Sequence, residues 1–144
     1  MMFKYKLLAL FLSITPLPLM AAESQGQCAD NFVISGSWSS GRTYHTYADH
    51  SGVNYDVAFE KATKNITDDG LVIVDQSKER GYIRANNPVR GGSGGTAVAP
   101  LRVLVIGKPG AVRIDARFSI AGGQMTSKKA ILQHLCALVN SPVN

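Results

Sequence analysis

The run AVRIDARFSI, Ala111 to Ile120, sets Val112, Ile114, Ala116, Phe118 and Ile120 in alternation with Arg113, Asp115, Arg117 and Ser119. Successive side chains on a strand point to opposite faces, so this segment offers one face to a core and the other to water. A period of two cannot form the stripe of a helix, whose apolar positions recur at about 3.6 residues. The run therefore demands an antiparallel sheet covered on one side only. The rest of the chain has to supply its partner strands and its cover.

The cover comes from two helical patterns. In NYDVAFEKATKNITDDG, Tyr55, Phe59, Ala62 and Ile66 fall on one stripe, Asn54 stands at the N-cap, Asp56 lies in the first turn and Gly70 follows the end. In TSKKAILQHLCALV, Ile131, Leu135 and Leu138 lie beside Leu132, Cys136 and Val139, with Thr126 or Ser127 as cap. Strands are expected at Gly41–Tyr47, Leu71–Asp75, Tyr82–Ala85 and Leu101–Gly107, with ADHSGVN as a connection after the first. The expected fold is α+β, an antiparallel sheet of about five strands in the order β-α-β-β-β-β-α, with both helices on one face. Arg84, Arg102, Arg113 and Arg117 then crowd the wet face.

The chain opens with Lys4 and Lys6, an apolar run from Leu7 to about Ile14, Pro16, Pro18 and small residues. That layout is a secretory signal peptide over residues 1–22, with cleavage after Ala21 or Ala22. The run falls short of the roughly 20 residues that span a bilayer, so no transmembrane segment is expected after cleavage. A periplasmic or secreted protein is implied. Residues 23–40 read as a mostly irregular N-terminal arm, and 41–144 as a single domain. Cys28 and Cys136 are the only cysteines, and an even number in an exported chain points to a disulfide.

Removing Lys4 and Lys6 leaves 13 of the 15 basic residues against 10 acidic ones, a net charge of about +3. The basic residues are scattered, which argues against nucleic acid as a partner. In VRGGSGGTAV, Gly92, Gly94 and Ala97 satisfy a loose G-x-G-x-x-A spacing, with Asp115 further on. A phosphate cradle needs a helix N-terminus behind it, whereas Pro100 and a β-branched run follow here. The loop also lacks the lysine of a phosphate-binding loop, so no cofactor is expected. The remaining reading is a hairpin tip rooted at Arg90 that serves as a contact loop.

His45, Asp49, His50 and His134 match no metal-ligand spacing, and no nucleophile motif such as G-x-S-x-G occurs. No enzymatic activity is expected. The segment SGVNY, Ser51 to Tyr55, matches the S-G-x-x-Y of periplasmic lysozyme inhibitors, in which a serine and a tyrosine enter the target's cleft.

YDVAFEKATKNITDDGLVIVDQSKERGYIRA, Tyr55 to Ala85, carries A-F-x-x-A on a helix, a glycine, a hydrophobic strand ending in Asp, a polar turn with R-G, and Y-I-x-A. Over these residues the chain resembles the helix-grip domains of the C-component lipoprotein of the bacterial outer-membrane β-barrel assembly machinery. The resemblance implies two helices gripping one face of a sheet and a non-catalytic role in binding or assembly. Cys28 lies six residues beyond Ala22, so the lipid acceptor of that lipoprotein has no counterpart at the cleavage boundary. The resulting expectation is an envelope-assembly or binding module with a protein partner. Its contact residues are expected to be Arg90, Gly92, Gly94, Arg113 and Arg117. Alternatives are small apolar ligand binding in a helix–sheet cavity, and inhibition of a hydrolase such as lysozyme.

Overall fold

A computed structural model describes residues 26–89 and 97–144. The elements are β1 (Val33–Ser37), β2 (Gly41–Ser51), α1 (Tyr55–Asp68), β3 (Val72–Ser77), β4 (Tyr82–Val89), β5 (Ala97–Lys108), β6 (Ala111–Ile120) and α2 (Lys128–Val139). Residues 26–30 form a short helix, and a 3₁₀ turn, Ser141–Val143, follows α2. The fold is α+β, with one antiparallel sheet in the order β1-β2-β6-β5-β4-β3. The helices pack on one of its faces.

The connections explain this order. After β2, α1 carries the chain across to the far edge, where β3 begins a meander of adjacent strands that returns as β6 beside β2. Asn54 Oδ1 accepts the Asp56 and Val57 N–H groups and so starts α1. Gly70 ends the turn beyond it with φ 80°, a left-handed conformation that a Cβ disfavours. Ser127 caps α2 through the Ala130 N–H, and the helix then lies over β2 and β6.

The alternation of β6 holds throughout: Val112, Ile114, Ala116, Phe118 and Ile120 are buried against the helices. They meet Ala58, Phe59, Ala62 and Ile66 of α1 and Leu135, Leu138 and Val139 of α2. Ala58 and Ala62 are fully buried, and their small size lets α1 lie close to the sheet. Two buried polar side chains of β2 find partners on this face: the Thr46 hydroxyl donates to the Cys28 carbonyl at 2.6 Å, and His50 Nε2 donates to the Val139 carbonyl at 2.6 Å. Cys28 and Cys136 form the expected disulfide, joining the short N-terminal helix to α2 across 108 residues.

Three expectations need correction. The sheet has six strands rather than about five, because residues 33–37 pair with β2 as an edge strand. The arm expected over 23–40 is accordingly not irregular: its described part is helix, then strand, and is bound into the sheet and to α2. The residues ADHS do not form a connection, since β2 runs on to Ser51 by pairing with β6 from Arg42↔Ile120 to Ser51↔Ala111. Pairing with a long partner strand overrides local turn chemistry here. The expected signal peptide, residues 1–22, lies outside the described residues. Among the described residues no helix is long and apolar enough to cross a membrane.

Candidate functional site

The face of the sheet away from the helices carries the charged half of the alternation. Register decides which of these side chains meet. Asp75, Arg84, Arg102, Arg117 and His45 stand opposite one another on β3, β4, β5, β6 and β2, forming a single row across the sheet. Directly opposed side chains have Cβ atoms about 4.5–5.5 Å apart, and like charges in that position repel. Two such oppositions, Arg84↔Arg102 and Arg102↔Arg117, stand side by side at the middle of the sheet.

Little compensates this row. Arg84 Nη1 lies 3.7 Å from Asp75 Oδ2, with both side chains about half exposed, at 55% and 46%. The Asp75 carboxylate is shared with the Tyr82 hydroxyl, which donates to both its oxygens at 3.2 Å. Arg102 and Arg117 are exposed, and among the described residues neither forms an ion pair or a side-chain hydrogen bond. Beside the row, Tyr82 opposes Leu104, which is 45% exposed, and together with Arg84 and Arg102 they border a shallow depression between β4 and β5. Ile106 and Val98 on β5 and Val72 on β3 add exposed apolar surface.

One end of the same face is chemically closed. Asp49 on β2 opposes Arg113 on β6 and takes a two-pronged hydrogen bond from it, Nε to Oδ1 at 2.9 Å and Nη2 to Oδ2 at 2.7 Å. Lys108 Nζ adds a third contact to Oδ1 at 3.0 Å. The Arg113 guanidinium also stacks on Tyr47, 4.1 Å from the ring centre. The hydrogen bond from Arg113 outweighs the effect of burial, and with the help of Lys108 it lowers the Asp49 pKa to about 2. Asp115 is likewise engaged, 2.7 Å from His45 Nε2.

The expected contact residues therefore separate. Arg117 belongs to the exposed row. Arg113 shares its strand and face, but its guanidinium is held by Asp49 and Tyr47. Arg90, Gly92 and Gly94 lie outside the described residues; the strands that flank them, β4 and β5, pair out to Val89↔Ala97. A strand, β5, begins at Ala97 after them. Arg84 and Arg102 complete the row, and alternation had put them on the wet face without showing that they line up with Arg117.

The other side chains weighed for chemistry do not converge. His50 is buried on the helix side, whereas His45 and Asp49 are on the open face and already paired. Tyr55 opens α1 and donates its hydroxyl to the Lys78 carbonyl at 2.7 Å, which ties the helix to the β3–β4 turn. Burial is the main cause that raises its pKa above the usual tyrosine value. At that turn Gly81 has φ 69°, and a Cβ there would strike the Val105 carbonyl oxygen, so backbone and tyrosine are closely fitted.

Comparison with protein-family models gives no match, and neither does comparison with curated proteins. Among solved structures the chain is similar to a conserved protein of unknown function from Enterococcus faecalis, with a TM-score of 0.51 and 8% identity, covering 85% of this chain and 80% of that one. At that identity the likeness concerns the fold alone.

Proposed function

We propose that the protein is a non-catalytic exported binding module whose open sheet face takes an acidic protein surface. The observation that carries this reading is the row Arg84, Arg102 and Arg117, in register and exposed, where their mutual repulsion costs folding stability. A partner carboxylate between two of these guanidinium groups removes the repulsion and gains charge-assisted hydrogen bonds. Leu104, Tyr82 and Ile106 alongside supply apolar contact, so the surface combines a desolvating patch with a charged one, as protein interfaces do. The disulfide and the N-terminal signal support a periplasmic or secreted setting. The resemblance to helix-grip domains of envelope assembly supports a partner in the cell envelope.

The test is photo-crosslinking in the native envelope from a probe placed at Leu104, in the parent chain and in Arg102→Glu/Arg117→Glu. The parent is expected to give a discrete adduct with an acidic protein, lost in the charge-reversed chain and weakened by salt. An adduct of undiminished yield in the reversed chain would refute the reading.

A further inference from the structure

On the opposite side of the sheet the two helices leave a gap. The C-terminal half of α1, the body of α2 and the strands β5 and β6 enclose a cavity of about 200 Å³. Its walls are apolar, built chiefly from Ile66, Leu71, Leu101, Phe118, Ile131 and Leu135. Asn65 and Asn87 also line it. At the rim, Asp69 and His134 face each other at 3.3 Å, and His134 is 66% exposed, which places the mouth of the cavity at the surface.

We propose that this cavity is a binding site for a small neutral molecule with an apolar body, seated against Ile66, Leu101, Phe118, Ile131 and Leu135. Size limits the body: an apolar cavity of about 150 Å³ holds benzene, so about 200 Å³ takes one ring with a short substituent, or an alkyl chain of similar bulk. A single water molecule, with its share of about 30 Å³, leaves most of the apolar volume empty. The interior favours a neutral ligand, because the walls are mainly apolar and Asp69 and His134 meet each other at the rim. The site is separate from the arginine row, which lies across the sheet, so either reading can fail without the other.

Benzyl alcohol and ethylbenzene, which differ chiefly by a hydroxyl in place of a methyl, are the probes. In methyl NMR titrations of the full chain, both are expected to shift Ile66, Leu71, Leu101 and Ile131 and to spare Leu104 and Ile106 on the open face. No shift from either probe at millimolar concentration, or shifts confined to the open face, would overturn the site; this arm needs no variant. Ethylbenzene is expected to bind at least as tightly as benzyl alcohol, and a tenfold preference for the alcohol overturns the apolar assignment. Ile131→Phe narrows the cavity and is expected to weaken both probes at least tenfold, whereas undiminished binding places them elsewhere.

Discussion

Arg113 and Arg117 stand four residues apart on one strand and point to the same side of the sheet, yet their surroundings differ completely. Across β2, Arg113 meets a carboxylate, Asp49, while Arg117 meets His45. Across β5, Arg113 meets Ile106, while Arg117 meets Arg102. The first guanidinium is bonded, stacked and 29% exposed; the second is exposed, faces a like charge at Arg102 and is bonded to no carboxylate among the described residues. The same residue type thus holds the sheet together at one position and strains it at the other. The neighbours supplied by register, not the arginine itself, decide whether the guanidinium is bonded.

The largest effect expected from this contrast concerns binding. Against a poly-glutamate peptide, Arg102→Glu/Arg117→Glu should weaken affinity about 100-fold, roughly tenfold per reversed charge, with little change in Tm. Arg113→Lys should leave that affinity within about threefold, as measured by titration calorimetry at low and moderate salt. A variant at Arg113 that binds as poorly as the double reversal erases the distinction.

Next comes stability. Asp49→Ala removes the acceptor of Arg113 and Lys108 and is expected to cost about 1–2 kcal/mol in urea denaturation, without affecting peptide binding. The acid limb gives a related check. The pKa of Asp49 is lowered to about 2 in the folded chain from 3.8, so its stabilising contribution is complete above about pH 4 and is lost as pH falls towards 2. Because its side chain is 34% exposed, solvent screening limits the contribution to about 1 kcal/mol. The stability gap between the parent chain and Asp49→Asn should close by that amount between pH 5 and pH 2. The smallest effect has the opposite sign: Arg102→Gln relieves two like-charge oppositions and should stabilise the fold by a few tenths of a kcal/mol, more at low salt.

What could be read in advance follows from the range of the interactions. Helix caps at Asn54 and Ser127, the stripe from Phe59 to Ile66 and the alternation of β6 all depend on neighbours within a few residues, and all appear where expected. β1 left no such trace: every residue in it is exposed, Gly36 interrupts it, and pairing with β2 holds it in place. The end of β2 looked like a turn because Asp, His and Ser favour turns locally, and only β6, some 60 residues later, overrides them. The candidate surface divides in the same way. Alternation along each strand is local and placed the four arginines on the wet face. The alignment of Arg84, Arg102 and Arg117 depends on how β4, β5 and β6 pair, the bulge between Ile73 and Asp75 sets Asp75 opposite Arg84, and the pairing of Arg113 with Asp49 spans 64 residues.

The pairing of β2 with β6 also bears on when the domain can form. β2 is complete at Ser51, but its inner neighbour begins only at Ala111 and ends at Ile120. Until then β2 has β1 on one side and nothing on the other, and α1 has no finished sheet to cover. Contacts this distant in sequence are slow to close, so the domain acquires its core late, when nearly all of the chain has emerged. On the proposed export route, that delay lets the chain reach translocation before it has a native core to undo.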